Sequence, residues 1–315
     1  MSLLWLLALV LFLMGIGEGG VDVGGNVLLV WIHRSRVGPY MNGLHFFFGV
    51  GAFVAPIIVA QMVLLSGGIT AAYWVLALLI FPISLWLMRL PSPPRQQATR
   101  GGAAVTVNVP LTTLIAVFMF LYVAAEVSFG GWIYTYAVAL DLTSPTTAAY
   151  LTSVFWGALT VGRLAAVPIA ARYRPRTILA VDLVGCLASV GLILLFPASM
   201  TAVWIGTFGY GFAMASIFPT VISWAERRMA LSGSITSVFL VGASLGAMTF
   251  PLLIGQLFDA RGPQVVMVMV FGLLVVEFAM FGVLMAVGGP PTMDDEDEES
   301  ESSATLIMAD PPLAG

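Results

Sequence analysis

Long apolar blocks alternate along this chain with short clusters of Gly, Pro, Ser and charge. A helix needs about 20 apolar residues to cross the hydrocarbon of a bilayer, and the blocks predict nine such helices, near residues 3–32, 41–65, 71–89, 110–138, 147–170, 178–196, 200–225, 232–258 and 264–287. The breaks between them read HRSRVGP from His33, SGG from Ser66, PSPPRQQATRGG from Pro91, DLTSP from Asp141, ARYRPR from Ala171, PAS from Pro197, ERR from Glu226 and DARGP from Asp259. Breakers at this spacing fit short loops between membrane helices. The expected fold class is therefore all-α and integral to the membrane.

Part of the pattern repeats. Residues 51–61 read GAFVAPIIVAQ and residues 246–256 read GAMTFPLLIGQ, with Gly, Ala, Pro and Gln at identical spacing. Upstream, NVLLVWIHRSR from Asn26 faces PTVISWAERRM from Pro219, so that Trp31 meets Trp224 and Arg34 meets Arg227. Two membrane segments and their loop thus recur in register, the mark of a transporter built from parallel halves. The first and second segments match the seventh and eighth, and the third takes the place of the ninth. The fourth to sixth have no counterpart upstream, so a two-half transporter would carry three further helices before Met1, about 90 residues by the length of their counterparts.

Composition agrees: 60% of the residues are hydrophobic, 9% are charged and the mean hydropathy is +1.02. The net charge of −4 belongs to the tail, because eight of the sixteen acids follow Met293 and residues 1–293 carry +4. All twelve basic residues are Arg. Ten of them fall in alternate loops and only Arg261 falls in the opposite set, which by the positive-inside rule puts the N-terminus outside and the C-terminus in the cytoplasm. The first segment lacks a basic start and carries Glu18 and Asp22, so it reads as a retained helix rather than a signal peptide. Four regions follow: residues 1–90 as a partial N-terminal half of three helices, 91–109 as a cytoplasmic linker, 110–288 as a six-helix C-terminal half, and 289–315 as a disordered acidic tail. The lone Cys186 allows no intrachain disulfide, and no Cys/His cluster has metal spacing. No cofactor, metal or nucleic-acid partner is expected.

The ionisable residues inside apolar segments carry the candidate chemistry, since a charge at mid-bilayer costs about 2.5–3.5 kcal/mol on insertion scales. Glu18, Asp22 and Asn26 are spaced four apart and share one stripe of the first segment, beside Gly15, Gly19 and Gly25. Such a stripe is expected to face the protein interior or a wet cavity. The repeat-equivalent positions are Gly211, Ala215 and Pro219, so the carboxylates are not needed by the repeated scaffold. In the second segment Asn42, His45 and Gly49 share a face, with His45 either a satisfied core residue or part of a site. In the fourth, Tyr122, Glu126, Gly130 and Ile133 share another, with Trp132, Tyr134 and Tyr136 towards the outside. A buried acid beneath aromatic rings suits a sugar, whose hydroxyls bond the acid while a ring covers its C–H face. Trp132 and Tyr136 also fit ordinary interface anchors. Arg163 and Asp182 are expected to pair or snorkel and to brace the loop at ARYRPR, and Glu277 has no evident partner.

Taken together, these residues resemble the major facilitator superfamily, in the fucose-galactose-hexose proton symporter branch with its sodium-dependent glucose transporter-like relatives. GEGGVDVGGN from Gly17 is similar to the family's fourth helix, where an acid stands four residues before an Asn, with Val27 in place of the following Pro. MNGLHFFFGVGA from Met41 is similar to the fifth, with His45 and Phe48 replacing two amides, and LYVAAEV from Leu121 to the seventh. The resemblance implies a truncated major facilitator fold holding family helices four to twelve. It also implies alternating access of two halves about a central site, without enzymatic activity. On that basis Asp22, Glu18 and Glu126 are expected to couple a proton or sodium ion. Asn26, Asn42, His45, Tyr122, Glu126, Trp132 and Tyr136 are expected to contact a sugar or similar small polar solute.

Two other functions stay open from the residues alone. Efflux of hydrophobic compounds suits the many Met and Phe side chains. An inactive or scaffolding membrane protein suits a chain without three helices, as does partnership with a separately encoded three-helix fragment. An intramembrane enzyme has no support, since the sequence holds no HExxH and no nucleophile beside a base at motif spacing.

Overall fold

A computed structural model describes residues 2–33, 37–90, 108–229 and 233–288. The proposed linker, apart from residues 108 and 109, and the acidic tail from residue 289 lie outside these. Ten helices occur among the described residues: α1 (Ser2–His33), α2 (Val37–Ser66), α3 (Thr70–Leu87), α4 (Val109–Ala139), α5 (Pro145–Ala170), α6 (Pro175–Leu195), α7 (Met200–Met214), α8 (Ile217–Glu226), α9 (Gly233–Arg261) and α10 (Val265–Val287). They make nine spans long and apolar enough to cross a bilayer, because α7 and α8 together form the span Met200–Glu226.

The helix starts use the chemistry the sequence offers. Asn108 accepts from the Leu111 amide at the head of α4 and Ser144 from the Thr147 amide at the head of α5, each just before a Pro in the first turn. Such caps satisfy donors that would otherwise face lipid headgroups unpaired. Gly67 and Gly262 take positive φ values of 72° and 77° in the turns after α2 and α9, a backbone that L side chains rarely adopt.

The one departure from the expected spans is the break at Ala215–Ser216 between α7 and α8. Pro219 lacks the N–H that would bond the Ala215 carbonyl, and the Ser216 hydroxyl donates sideways to the Asp182 carboxylate on α6. The chain therefore turns there, where its repeat counterpart α1 runs on as one helix.

Packing centres on the last six spans. α4 packs most extensively against α9 and also against α10 and α5, while α6 and α7 pair, and α10 closes on α6. α4 contributes sixteen buried residues, among them Phe118, Tyr122, Phe129 and Tyr136. In lipid no hydrophobic force separates a helix contact from a lipid contact, so close approach of backbones drives the association. Small residues supply it: Gly242 and Gly246 of α9 sit on the Ala116 and Phe120 carbonyls of α4, and Gly211 of α7 sits on the Phe155 carbonyl of α5. α2 joins the first three helices to the rest through α5, and α1 and α3 pack mainly on α2.

Candidate functional site

The α2–α5 contact is where the two unlike parts of the molecule meet. Gly49 lies directly against Thr160, and across the seam Gly157 lies directly against Phe53, so each helix offers a notch to a side chain of the other. Thr160 Oγ1, the atom that sits nearest Gly49, donates back to the Trp156 carbonyl at 2.8 Å, so its donor is satisfied within α5. Gln61 Nε2 donates to the Tyr150 hydroxyl further along the same seam. A cavity of about 330 Å³ opens beside the notch, lined by Phe46, Val50, Phe53, Val154, Val161 and Phe208 among others, and its walls are almost wholly apolar. A second, of about 470 Å³, lies between Pro56, Ala60, Tyr134, Pro145 and Thr152.

α4 carries the buried acid expected from the sequence. Glu126 is 8% exposed, and Tyr122 one turn away is within polar reach of its carboxylate. The Arg163 guanidinium on α5 acts on both electrostatically, which supplies the countercharge a buried carboxylate needs. Tyr122 also donates a long hydrogen bond of 3.5 Å to the Met214 carbonyl, at the end of α7, and its ring tilts against Phe218 at 6.2 Å. Asp182 accepts from Ser216 at the break, and Arg163 acts on Glu126 and Tyr122 through its charge.

Trp132 and Tyr136 are placed differently from Glu126. Trp132 packs on Phe258 of α9, with ring centroids 5.2 Å apart, and Tyr136 is fully buried with its hydroxyl donating to Gln264 Oε1 at 3.3 Å. Both hold α4 to its neighbours inside the six-span half. The aromatic side chain left exposed at this end is Tyr134, which lines the larger cavity. Glu18 and Asp22 lie on an exposed face of α1, and residues 3–22 of that helix bury nothing, because the helix packs mainly on α2. Among the described residues Glu18 and Asp22 thus remain exposed, and no contact brings them to Glu126. The side chains of Asn26, Asn42 and His45 lie outside the described residues.

Sequence reasoning left Glu277 without a role and passed over Tyr210 and Thr207. All three are buried, Thr207 and Tyr210 on α7 and Glu277 on α10, and among the described residues their side-chain oxygens lack hydrogen-bond partners. Glu277 alone carried a signal, as a charge in an otherwise apolar helix. Its neighbours could not be read from a chain in which every face of α10 is apolar.

A profile of the Major Facilitator Superfamily matches residues 1–251. The chain belongs to that superfamily and is a multi-pass helical membrane protein, not an enzyme. Sodium-dependent glucose transporter 1 of Xenopus laevis is 32% identical over 283 residues, covering 80% of this chain and 57% of that protein. The Homo sapiens protein of the same name is 29% identical over 346 residues, covering 96% of this chain and 67% of that protein. The chain thus spans between about half and two thirds of the length of these relatives. The crystal structure of the superfamily transporter FucP in the outward conformation aligns with 68% of this chain and 55% of its own, at 16% identity and a TM-score of 0.49.

Proposed function

We propose that this protein is a secondary transporter that moves a sugar or similar small polar solute by alternating access, coupled to a proton or sodium gradient. The observation that carries the reading is the similarity over four fifths or more of the chain to proteins named sodium-dependent glucose transporter 1. Two features are consistent with it. The repeated segments α1–α2 and α7–α9 are the internal symmetry expected of rocking halves, and the α2–α5 seam is a notch-and-side-chain contact along which halves can shear. Asp22 is the leading coupling residue, as an acid four residues before Asn26 on a helix whose repeat counterpart has none. The excess of Arg in alternate loops favours a cytoplasmic C-terminus.

The test is uptake of labelled hexose into reconstituted vesicles under an imposed sodium or proton gradient. Asp22→Asn should abolish uphill accumulation under the coupling gradient while sparing solute exchange, and undiminished accumulation overturns the assignment. The apolar walls of the cavity beside Gly49 favour a second reading, extrusion of a hydrophobic compound. Energised export of a lipophilic dye with no hexose uptake would select it.

A further inference from the structure

Glu277 stands in the middle of α10, is 0% exposed, and both of its carboxyl oxygens lack a hydrogen-bond partner. An ionised carboxylate in that state would be among the most costly groups a membrane protein can hold. Among the described residues its surroundings offer no countercharge. α10 packs on α4, α6 and α9. On α4, Glu126, a second buried acid, acts on it electrostatically, and Glu277 acts in turn on Tyr122. On α6 its charge reaches the buried thiol of Cys186, and Asp182 lower on the same helix is bonded to Ser216. The titratable residues of α9 are Asp259 and Arg261, in its last turn and remote from mid-helix. Beyond this shell α7 adds Tyr210, whose buried hydroxyl also lacks a partner, and Arg163 of α5 acts on Tyr122 and Glu126.

The register of the helices puts these groups within about one helical turn of the same depth. The Tyr136–Gln264 hydrogen bond ties the end of α4 to the start of α10. Counting from those ends at about 1.5 Å per residue, Glu126 and Glu277 each lie about 18–20 Å into the helix. Tyr210 and Cys186 lie at about 14–15 Å by the same count along α7 and α6. The interior of the half therefore contains two carboxyl groups, of which Glu126 feels the Arg163 guanidinium and Glu277 does not.

We infer that Glu277 is a proton-binding site buried inside the six-span half, occupied as a neutral carboxylic acid. The bound proton resides on one Glu277 carboxyl oxygen and is released as a proton, with no other bond made or broken. A sodium ion suits the place less well, because it wants several oxygen ligands and Leu273, Leu274, Leu183 and Val190 are buried around the same helices. The inference does not rest on the transport reading, since occupancy is read without any solute.

The experiment is infrared spectroscopy of the full chain in lipid, in sodium-free buffer at neutral pH, with and without carbon-13 at the glutamate carboxyl. A carbonyl-stretch band of a protonated carboxyl should be present, should shift with glutamate labelling, and should respond to deuterated buffer slowly, as a sealed group does. Glu277→Gln should remove the band. Glu277→Asp should keep a band that no longer responds to glutamate labelling, which preserves the test if the Gln variant does not fold. Absence of the band in the wild type, its survival in Glu277→Gln, or its loss on adding sodium each overturns the inference. Failure of hexose uptake would leave these spectra unaffected, so the two readings fail separately.

Discussion

The segments GAFVAPIIVAQ in α2 and GAMTFPLLIGQ in α9 have the same Gly, Ala, Pro and Gln in the same order, yet the molecule uses them differently. Gly246 lets α9 rest on the backbone of α4 at Phe120, whereas a Cβ at Gly51 would meet open space. Both Gln residues are exposed, but the Gln of α2 is bonded across the seam to Tyr150. Pro56 and Pro251 each sit inside a continuous helix, so neither repeat is broken by its proline. The contrast shows that a repeated motif fixes the shape of a helix but not its neighbours. α9 is locked inside a six-span bundle, and α2 meets that bundle along one seam.

The sharpest way to break this comparison is to fill both glycines. Gly246→Leu must push α9 off the α4 backbone and should cost about 3 kcal/mol or more, whereas Gly51→Leu should change stability by no more than about 0.5 kcal/mol. Thermal unfolding of both variants in the same detergent measures the difference, and equal losses would mean that the α4–α9 contact is not close-packed.

A smaller effect is expected at the point where α7 and α8 depart from their counterpart α1. Ser216→Ala removes the donor to Asp182 and should cost about 1 kcal/mol, at the modest end for a bond to a partly exposed charged group. Hydrogen exchange at residues 215–220 should quicken if that bond holds the two short helices together. Unchanged exchange would show that Pro219 alone shapes the break. The smallest effect separates the two Gln residues. Gln61→Ala should cost about 0.6 kcal/mol, typical of an interhelical hydrogen bond in a membrane, and Gln256→Ala should cost less. A double-mutant cycle of Gln61 with Tyr150 isolates the term, and zero coupling would remove Gln61 from the seam.

Much of this architecture was legible before any coordinates. The number of spans, their ends to within a few residues and the internal repeat follow from block hydrophobicity, breakers and motif spacing, and the superfamily from the resemblance of its motifs. The charge of Glu126 inside an apolar helix also marked it as buried and in need of a partner. What lies near it was only partly legible: Tyr122 one turn away and the charge of Arg163 act on Glu126, while Asp182, expected to pair with Arg163 or snorkel, accepts from Ser216. Trp132 and Tyr136 looked like a ring platform above the acid because they follow it on the same helix, and they turn instead into α9 and α10.

The sequence by itself determined that this chain lies in a membrane as nine spans carrying a duplicated unit, because the cost of exposing backbone and charge to hydrocarbon is paid span by span and is written in composition. The tertiary structure alone decided which face of each helix meets protein. In lipid a packed face and a bare one can be equally apolar, so only the assembled contacts reveal that Glu126, Tyr210 and Glu277 share one interior while Asp22 stands on an open side of α1.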